Sequence, residues 1–226
     1  IILGIILGVL TGVYNNTKID YLGRIFSISG VSTPVFLSGL LLIILFYDKL
    51  GWLPSSGRLN LFIAKPVTVT GFYTIDSLLE GNYAAFKDAI KHLIMPALAL
   101  SYVQVSAITR QVRSSMIEVL NQDYIRTARA NGLSGWTITV SYALKNALIP
   151  TVTVIGVLLG SLLGGAVVTE IVFNWPGMGK YVVSAIGNLD FPAIMGVTLF
   201  IAIGYVLINL VVDLSYLILN PQIREA

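Results

Sequence analysis

Few side chains in this sequence could do chemistry, and they are scattered. There is one histidine, His92, and no cysteine. Thiolate chemistry, disulfides and a mixed histidine–cysteine metal cage are therefore outside its repertoire. A lone histidine at the edge of an apolar run is far more often a hydrogen-bonded structural group than a ligand. No serine–histidine arrangement or carboxylate pair is legible inside the apolar runs. No catalytic residue and no metal ligand is assigned. Gly160, Gly164 and Gly165 fall within an apolar run with no Lys-Ser or Lys-Thr after them, so they are not a phosphate-cradling loop. Gly160 and Gly164 form a G-x-x-x-G pair, with Gly156 one turn earlier. Such a pair lets a second helix approach closely, from this chain or from another subunit. Asn209 and Asp213 are four apart on one helix face. With Asn146 just before the preceding apolar run and Thr151 inside it, they are the polar side chains that could serve a pathway or gate. Structural hydrogen bonding is their plainer role.

Composition says what must position these groups. The chain has 226 residues, of which 56% are hydrophobic and 11% charged, with a mean hydropathy of +0.85. Soluble domains carry about 25% charged residues. Too little polar surface exists to coat a soluble globule, so the expected class is an integral membrane protein. The net charge of +3 reads as loop asymmetry and not as a nucleic-acid footprint.

Five apolar runs stand out: Ile1–Tyr14, Ile25–Tyr47, Ala89–Thr109, Ala147–Val168 and Ala193–Leu219. The last four are long enough to span as helices, and none alternates as barrel strands would. The first is shorter than a span. It begins without Met, which leads to the expectation of a helix entered part-way, with one more span before it. If the spans alternate, Arg24, Arg110, Arg113, Arg126, Arg129 and Arg224 share one side and only Arg58 falls on the other. That side is read as cytoplasmic, and the C-terminus with it. Segment 48–88 is then external and 110–145 cytoplasmic. Segment 169–192 is external. Ser32-Thr33-Pro34 predicts a kink in the second run. Residues 76–91 have the spacing of a short interfacial helix with Leu78, Leu79, Tyr83, Phe86 and Ile90 on one side. Pro96 is expected to break the next helix. Arg110 and Arg113 share a helix face that suits snorkelling to inner headgroups, or partner docking.

One polar island, Asn121–Pro150, separates two very apolar runs. Asp123 is read as a helix cap, Tyr124–Asn131 as a helix, Gly132 as its left-handed stop and Ser134 as the cap of a second short helix carrying Trp136. Ile125, Ala128 and Leu133 make a narrow apolar side. Such an element lies along a membrane face and offers a surface for another protein.

Arg126-Thr127-Ala128, then Gly132, then Asn146-Ala147-Leu148-Ile149-Pro150 resemble the cytoplasmic signature of binding-protein-dependent ABC transporter permeases, in particular the dipeptide/oligopeptide/nickel branch. Gly51-Trp52-Leu53-Pro54, Leu93-Ile94-Met95-Pro96-Ala97-Leu98, Glu170 with Phe173-Asn174-Trp175-Pro176-Gly177-Met178-Gly179, and Asn220-Pro221-Gln222-Ile223-Arg224 resemble it too. The motifs follow the family's order over nearly the whole chain. The resemblance implies one all-α permease domain over 1–226, a polytopic helical bundle of the type I importer kind. It implies a coupling helix at about 122–136 that docks on an ATPase subunit through Asp123, Tyr124, Arg126, Thr127, Ala128, Arg129, Gly132 and Leu133. The family's signature commonly opens with Glu. Six positions before Gly132 stands Arg126, so docking is expected to rest on helix shape more than on an acidic contact. Glu170, Trp175, Pro176 and Gly177 are implied to face an external solute-binding protein.

The function so implied is one half of an import pathway in the cell inner membrane. Peptides are the branch's default cargo, with oligosaccharides or nickel as alternatives. The implied partners are a second homologous permease, two ATP-binding subunits that hold ATP and Mg, the solute-binding protein and membrane lipid. No cofactor is expected in this chain. A self-contained secondary transporter or channel would need midspan charges or inverted repeats with broken helices. An intramembrane enzyme would need a paired site. Neither pattern is legible.

Overall fold

A computed structural model describes the backbone of residues 1–219 and all their side chains except those of 163–165 and 216–219. The Asn220–Arg224 motif and the C-terminal arginine lie outside the described residues. All regular elements described are helical: α1 Ile2–Val13, α2 Lys18–Ser32, α3 Val35–Leu42, α4 Tyr73–Leu79, α5 Tyr83–Leu120, α6 Asp123–Ala130, α7 Gly135–Thr137, α8 Lys145–Gly165, α9 Val167–Val172, α10 Met178–Gly187 and α11 Phe191–Leu219. Wide π-helical turns extend α3 over Ile43–Lys49 and join α7 to α8 over Ile138–Leu144. This is the polytopic helical membrane protein that the composition demands.

Among the described residues, three helices are long and apolar enough to cross a membrane: Tyr83–Leu120, Gly135–Leu162 and Phe191–Ser215. A fourth span exists if α2 and the α3 segment count together. The first apolar run is the 12-residue α1. The expected kink at Ser32-Thr33-Pro34 is a full break, because Pro34 begins α3 and its carbonyl accepts from Leu37 and Ser38. The expected break at Pro96 is absent. Pro96 sits inside the 38-residue α5, whose neighbouring turns hold the helix through the one lost backbone bond. The expected helix over 76–91 is two pieces. Gly81 at φ 74° stops α4, and the Asn82 side chain accepts from Ala85 N at 3.0 Å to start α5. Its buried side is Ala85, Ala89 and His92, while Leu78, Leu79 and Tyr83 are exposed.

The chain forms two compact units, with boundaries inside α5, α8 and α11. One comprises Ile1–Ser32, Tyr102–Leu163 and the chain from Phe200 onward. Its core is a stripe on α5, Ile108, Val112 and Met116, packed with Ile125 and Ala128 of α6 and with Ile138, Ala143 and Ala147. Gly4, Gly8 and Gly12 of α1 lie on that stripe. A Cβ on them would stand 2.8 Å from Ile108, 2.5 Å from Val112 and 2.6 Å from Met116. The backbones touch because these three residues have no side chain. Likewise Gly156 meets Val212, and Gly160 meets the Tyr205 ring. Those two glycines are thus used within the chain.

The other unit comprises Thr33–Ser101 and Gly164–Leu199. Met95, Ala99 and Phe173 form its core, joined by Leu42, Ile43, Phe46, Leu53 and Val172. Gly57 N donates to Phe173 O at 2.9 Å, which pins the loop after α3 to the end of α9. Carboxylates hold the rest of that loop. Asn60 N donates to Asp88 at 2.7 Å, and Val67 N donates to Glu80 at 3.2 Å. Asp76 accepts from Thr70 N and Oγ1, both at 2.7 Å, and from Gly71 N at 3.0 Å. Burial alone would raise the Asp76 pKa, but these donors outweigh it and hold the carboxyl below its ordinary range.

Candidate coupling surface

The polar island builds a short helix with a glycine stop at its C-terminal end and one side sunk into the core. Asp123 is the first residue of α6, and Gln122 precedes it without a side-chain cap. The expected Asp123 cap is therefore replaced by a weaker effect, a negative charge in the first turn facing the positive end of the helix dipole. Asp123 also lies 3.3 Å from Arg126, with both side chains exposed, an ion pair of little net value in water. The other end is as expected. Gly132 has φ 77°. Gly132 N donates to Arg129 O at 3.0 Å and Leu133 N to Ala128 O at 3.3 Å, the paired bonds of a Schellman stop. Ser134 Oγ accepts from Thr137 N at 3.2 Å and caps the next turn. That turn is not a separate short helix. It runs through the π segment into α8, because no breaker follows Trp136 before Pro150.

Ile125 is fully buried and Ala128 nearly so, which anchors α6 to the α5 stripe. Leu133, the third apolar residue, is 38% exposed. Asp123, Tyr124, Arg126, Thr127 and Arg129 all point away from the core. Trp136 is 77% exposed. The result is a cationic and aromatic ridge on a helix that cannot roll, since its two small apolar contacts fix its rotation.

Asn146 belongs to this surface. Its Nδ2 donates to Tyr124 Oη at 2.9 Å and to Tyr142 O at 3.0 Å, so it ties α6 to the start of α8. A gate role for Asn146 finds no support in this geometry. Thr151 is fully buried and its hydroxyl donates to Ala147 O at 2.9 Å. Asn209 is half-buried and Asp213 exposed on α11, and the structure brings neither to the other candidates.

Sequence reasoning passed over one feature beside the ridge. Arg113 donates to Asp20 at both carboxylate oxygens and to Asn15 Oδ1 at 3.1 Å. Arg24 lies 3.6 Å from the same Asp20. Arg110 is exposed and makes no such pair, so the two arginines that share a sequence spacing do different work. The i, i+4 glycines of α1 were also a readable signal, one that pointed to close packing on α5.

Around Glu170 the geometry is that of a turn. Oε2 accepts from Lys180 N at 2.8 Å in the first turn of α10, and Glu170 O accepts from Trp175 N at 2.7 Å. A Cβ on Gly177 would collide with the Glu170 carboxyl. Glycine is therefore required where the carboxylate caps α10. Trp175 is half-buried and Pro176 exposed. His92 is buried. Its Nδ1 lies 2.9 Å from Asp88 O and 3.3 Å from the Asp88 carboxylate, the hydrogen-bonded role expected of it.

The model of the family described as "Binding-protein-dependent transport system inner membrane component" matches residues 4–225. The chain is 54% identical over 223 residues to the "Probable D,D-dipeptide transport system permease protein DdpB" of Escherichia coli K12, covering 99% of this chain and 66% of that protein. It is 47% identical over 224 residues to the dipeptide transport system permease protein DppB of Haemophilus influenzae, covering 98% and 66%. To the protein of that name from Escherichia coli K12 it is 41% identical over 224 residues, again covering 98% and 66%. The chain thus spans about 66% of the length of the curated relatives it matches. The apolar helices, the capped polar ridge and these matches together establish that the chain belongs to the family of inner membrane components of binding-protein-dependent transport systems.

Proposed function

We propose that this chain supplies half of the transmembrane pathway of a peptide importer. In this reading α6 and the first turn of the next helix are the coupling element. The exposed row Asp123, Tyr124, Arg126, Thr127 and Arg129, with Gly132, Leu133 and Trp136, sits in a cleft of an ATP-hydrolysing subunit. The observation that carries the reading is the union of exposure and anchorage. The ridge faces out, while Ile125 and Ala128 lock it to the stripe on α5. A push on the ridge is then delivered to the long helix and not absorbed in a loose loop. The names of the relatives support peptides as cargo over oligosaccharides or nickel.

The same reading puts segment 110–145 and the C-terminus in the cytoplasm and segments 48–88 and 169–192 outside, by the arginine bias. Glu170, Trp175, Pro176 and Gly177 then lie on the side where a solute-binding protein delivers its cargo. A second permease supplies the other half of the path, and two partner subunits bind ATP and Mg.

The test is reconstitution of the full-length chain with its candidate partners in liposomes. ATP-driven uptake of a radiolabelled dipeptide, lost in Gly132→Asp with the second permease still co-purifying, is the expected result. Failure of the intact protein to capture any ATPase subunit, or uptake driven by a proton or sodium gradient in the purified chain alone, overturns it.

A further inference from the structure

Within the unit of residues 33–101 and 164–199 lies a cavity of ≈ 530 Å³. None of the pathway candidates Asn146, Thr151, Asn209 and Asp213 is among its wall residues. Leu93, Pro96, Ala97 and Leu100 give it an apolar side from α5. Tyr73 and Trp175 add aromatic faces, and two charged groups reach it, Arg58 and Glu170.

Both charged groups are held in place with capacity to spare. The Arg58 guanidinium stacks 3.9 Å over the Tyr73 ring and donates from Nη1 to Gly71 O at 3.2 Å. That contact takes one of its five N–H donors. No carboxylate of the described residues is within ion-pair distance of it. A half-buried guanidinium, oriented by stacking and lacking a counter-charge, is arranged to receive an anion. Glu170 commits Oε2 to the Lys180 amide, which orients the carboxylate and leaves Oε1 for another donor. An inorganic anion would satisfy Arg58 and be repelled by Glu170. A bare metal ion would find Glu170 as the one carboxylate in the wall and no His or Cys beside it, and among the described residues no group of three or more His, Cys, Asp or Glu could hold one. A ligand with both charges and an apolar body matches every wall. The volume is within the ~300–1,000 Å³ usual for small-ligand sites, enough for two or three residues.

We infer that this cavity binds a short zwitterionic peptide, its terminal carboxylate on Arg58, its terminal ammonium on Glu170 and an apolar side chain between Tyr73, Trp175 and Leu93. The inference rests on the peptide-import reading and makes the permease itself a point of cargo recognition.

The experiment measures equilibrium binding of radiolabelled alanyl-phenylalanine to the purified permease–ATPase complex, with no solute-binding protein present. Competitors are the same dipeptide amidated at its C-terminus or acetylated at its N-terminus. The wild-type complex is expected to bind the free dipeptide at least tenfold more tightly than either capped form. Arg58→Gln should erase the penalty for amidation and keep that for acetylation. Glu170→Gln, which keeps an acceptor for the Lys180 amide, should do the reverse. If Arg58→Gln lowers the thermal midpoint, Arg58→Lys serves in its place and is expected to bind the free dipeptide more weakly than wild type while still preferring it to the amide. Equal binding of free and capped dipeptides by the wild type, or unaltered discrimination in both variants, overturns the inference. Either result is compatible with ATP-driven peptide uptake. A wild-type complex that assembles yet imports no peptide would instead overturn the parent reading.

Discussion

Asp20 and Arg113 lie 93 positions apart and meet in a two-point ion pair, with Nε to Oδ1 at 2.5 Å and Nη2 to Oδ2 at 2.9 Å. The Asp20 side chain is fully buried and that of Arg113 19% exposed. Asn16 N adds a third donor to the same carboxylate at 2.9 Å. The pair fastens the turn between α1 and α2 to the end of α5 that carries the α6 ridge.

Removing one partner should cost far more than the pair contributes, since the other charge is left without compensation. Asp20→Asn is expected to destabilise the chain by about 3 kcal/mol, the lower end for breaking a buried pair because Arg113 keeps some water. Thermal unfolding in detergent measures this. The double variant Asp20→Asn/Arg113→Gln should recover much of the loss. Equal midpoints for wild type and Asp20→Asn would show that the pair is idle.

Close approach of α1 to α5 depends on three missing side chains. Gly8→Val puts two methyl groups where Val112 Cβ already leaves a Cβ only 2.5 Å. The expected loss is about 1–3 kcal/mol from overpacking, partly restored by Val112→Ala. A double-mutant cycle reads this as a coupling energy. Additive effects would mean that the helices do not touch at this point.

Gly132 tests the ridge. Its φ of 77° excludes a strain-free alanine, although nothing within 4 Å would clash with the Cβ. Gly132→Ala should therefore cost about 1–2 kcal/mol by backbone strain alone. Gly132→Asn should cost less, since asparagine visits that region more readily. Trp136→Ala should leave the stability within about 0.5 kcal/mol of wild type and weaken capture of the ATPase subunit. A melting loss in Trp136→Ala with capture intact would make the exposed indole structural.

Asp76 sets an acid limit for one loop. Its carboxyl lies below the ordinary value of 3.8, so the folded state holds the proton less readily than the unfolded one. Its contribution is full above about pH 4 and is lost as pH falls through the lower folded value. Amide exchange at Thr70 and Gly71 should be protected at pH 7 and speed up, beyond the intrinsic rate change, only below pH 4. Asp76→Asn should loosen both amides already at pH 7. Protection that is indifferent to Asp76→Asn would refute this origin.

Much of the scaffold was readable because its signals are local. Apolar run length announces helices, positive φ needs glycine, and a serine three residues before a free amide caps it. Hence the helical runs other than the broken second one, Gly132 and Ser134 stand where expected. The expected second short helix runs on into α8 because an exposed residue such as Trp136 does not stop a helix. Pro96 failed as a breaker because a long helix can lose one backbone bond and persist.

The candidate site divides along the same line. Its outward residues were legible as a polar island between apolar runs. The inward ones were not ranked, because Ile125 and Ala128 reveal their importance only when Val112 and Met116 arrive from α5. Asn146 looked like a path residue in isolation and is a clip between Tyr124 and the next helix.

By itself, then, the sequence determined a membrane chain of helices with one capped polar ridge, because hydropathy, helix period and turn chemistry act over a few residues. Tertiary structure alone decided which charge meets which. It placed Arg113 and not Arg110 on Asp20, spent Gly156 and Gly160 inside the chain, and gave Arg58 no carboxylate partner among the described residues. Those outcomes depend on contacts between residues tens of positions apart, where distance and burial set the energy of a charge and local pattern carries no record of either.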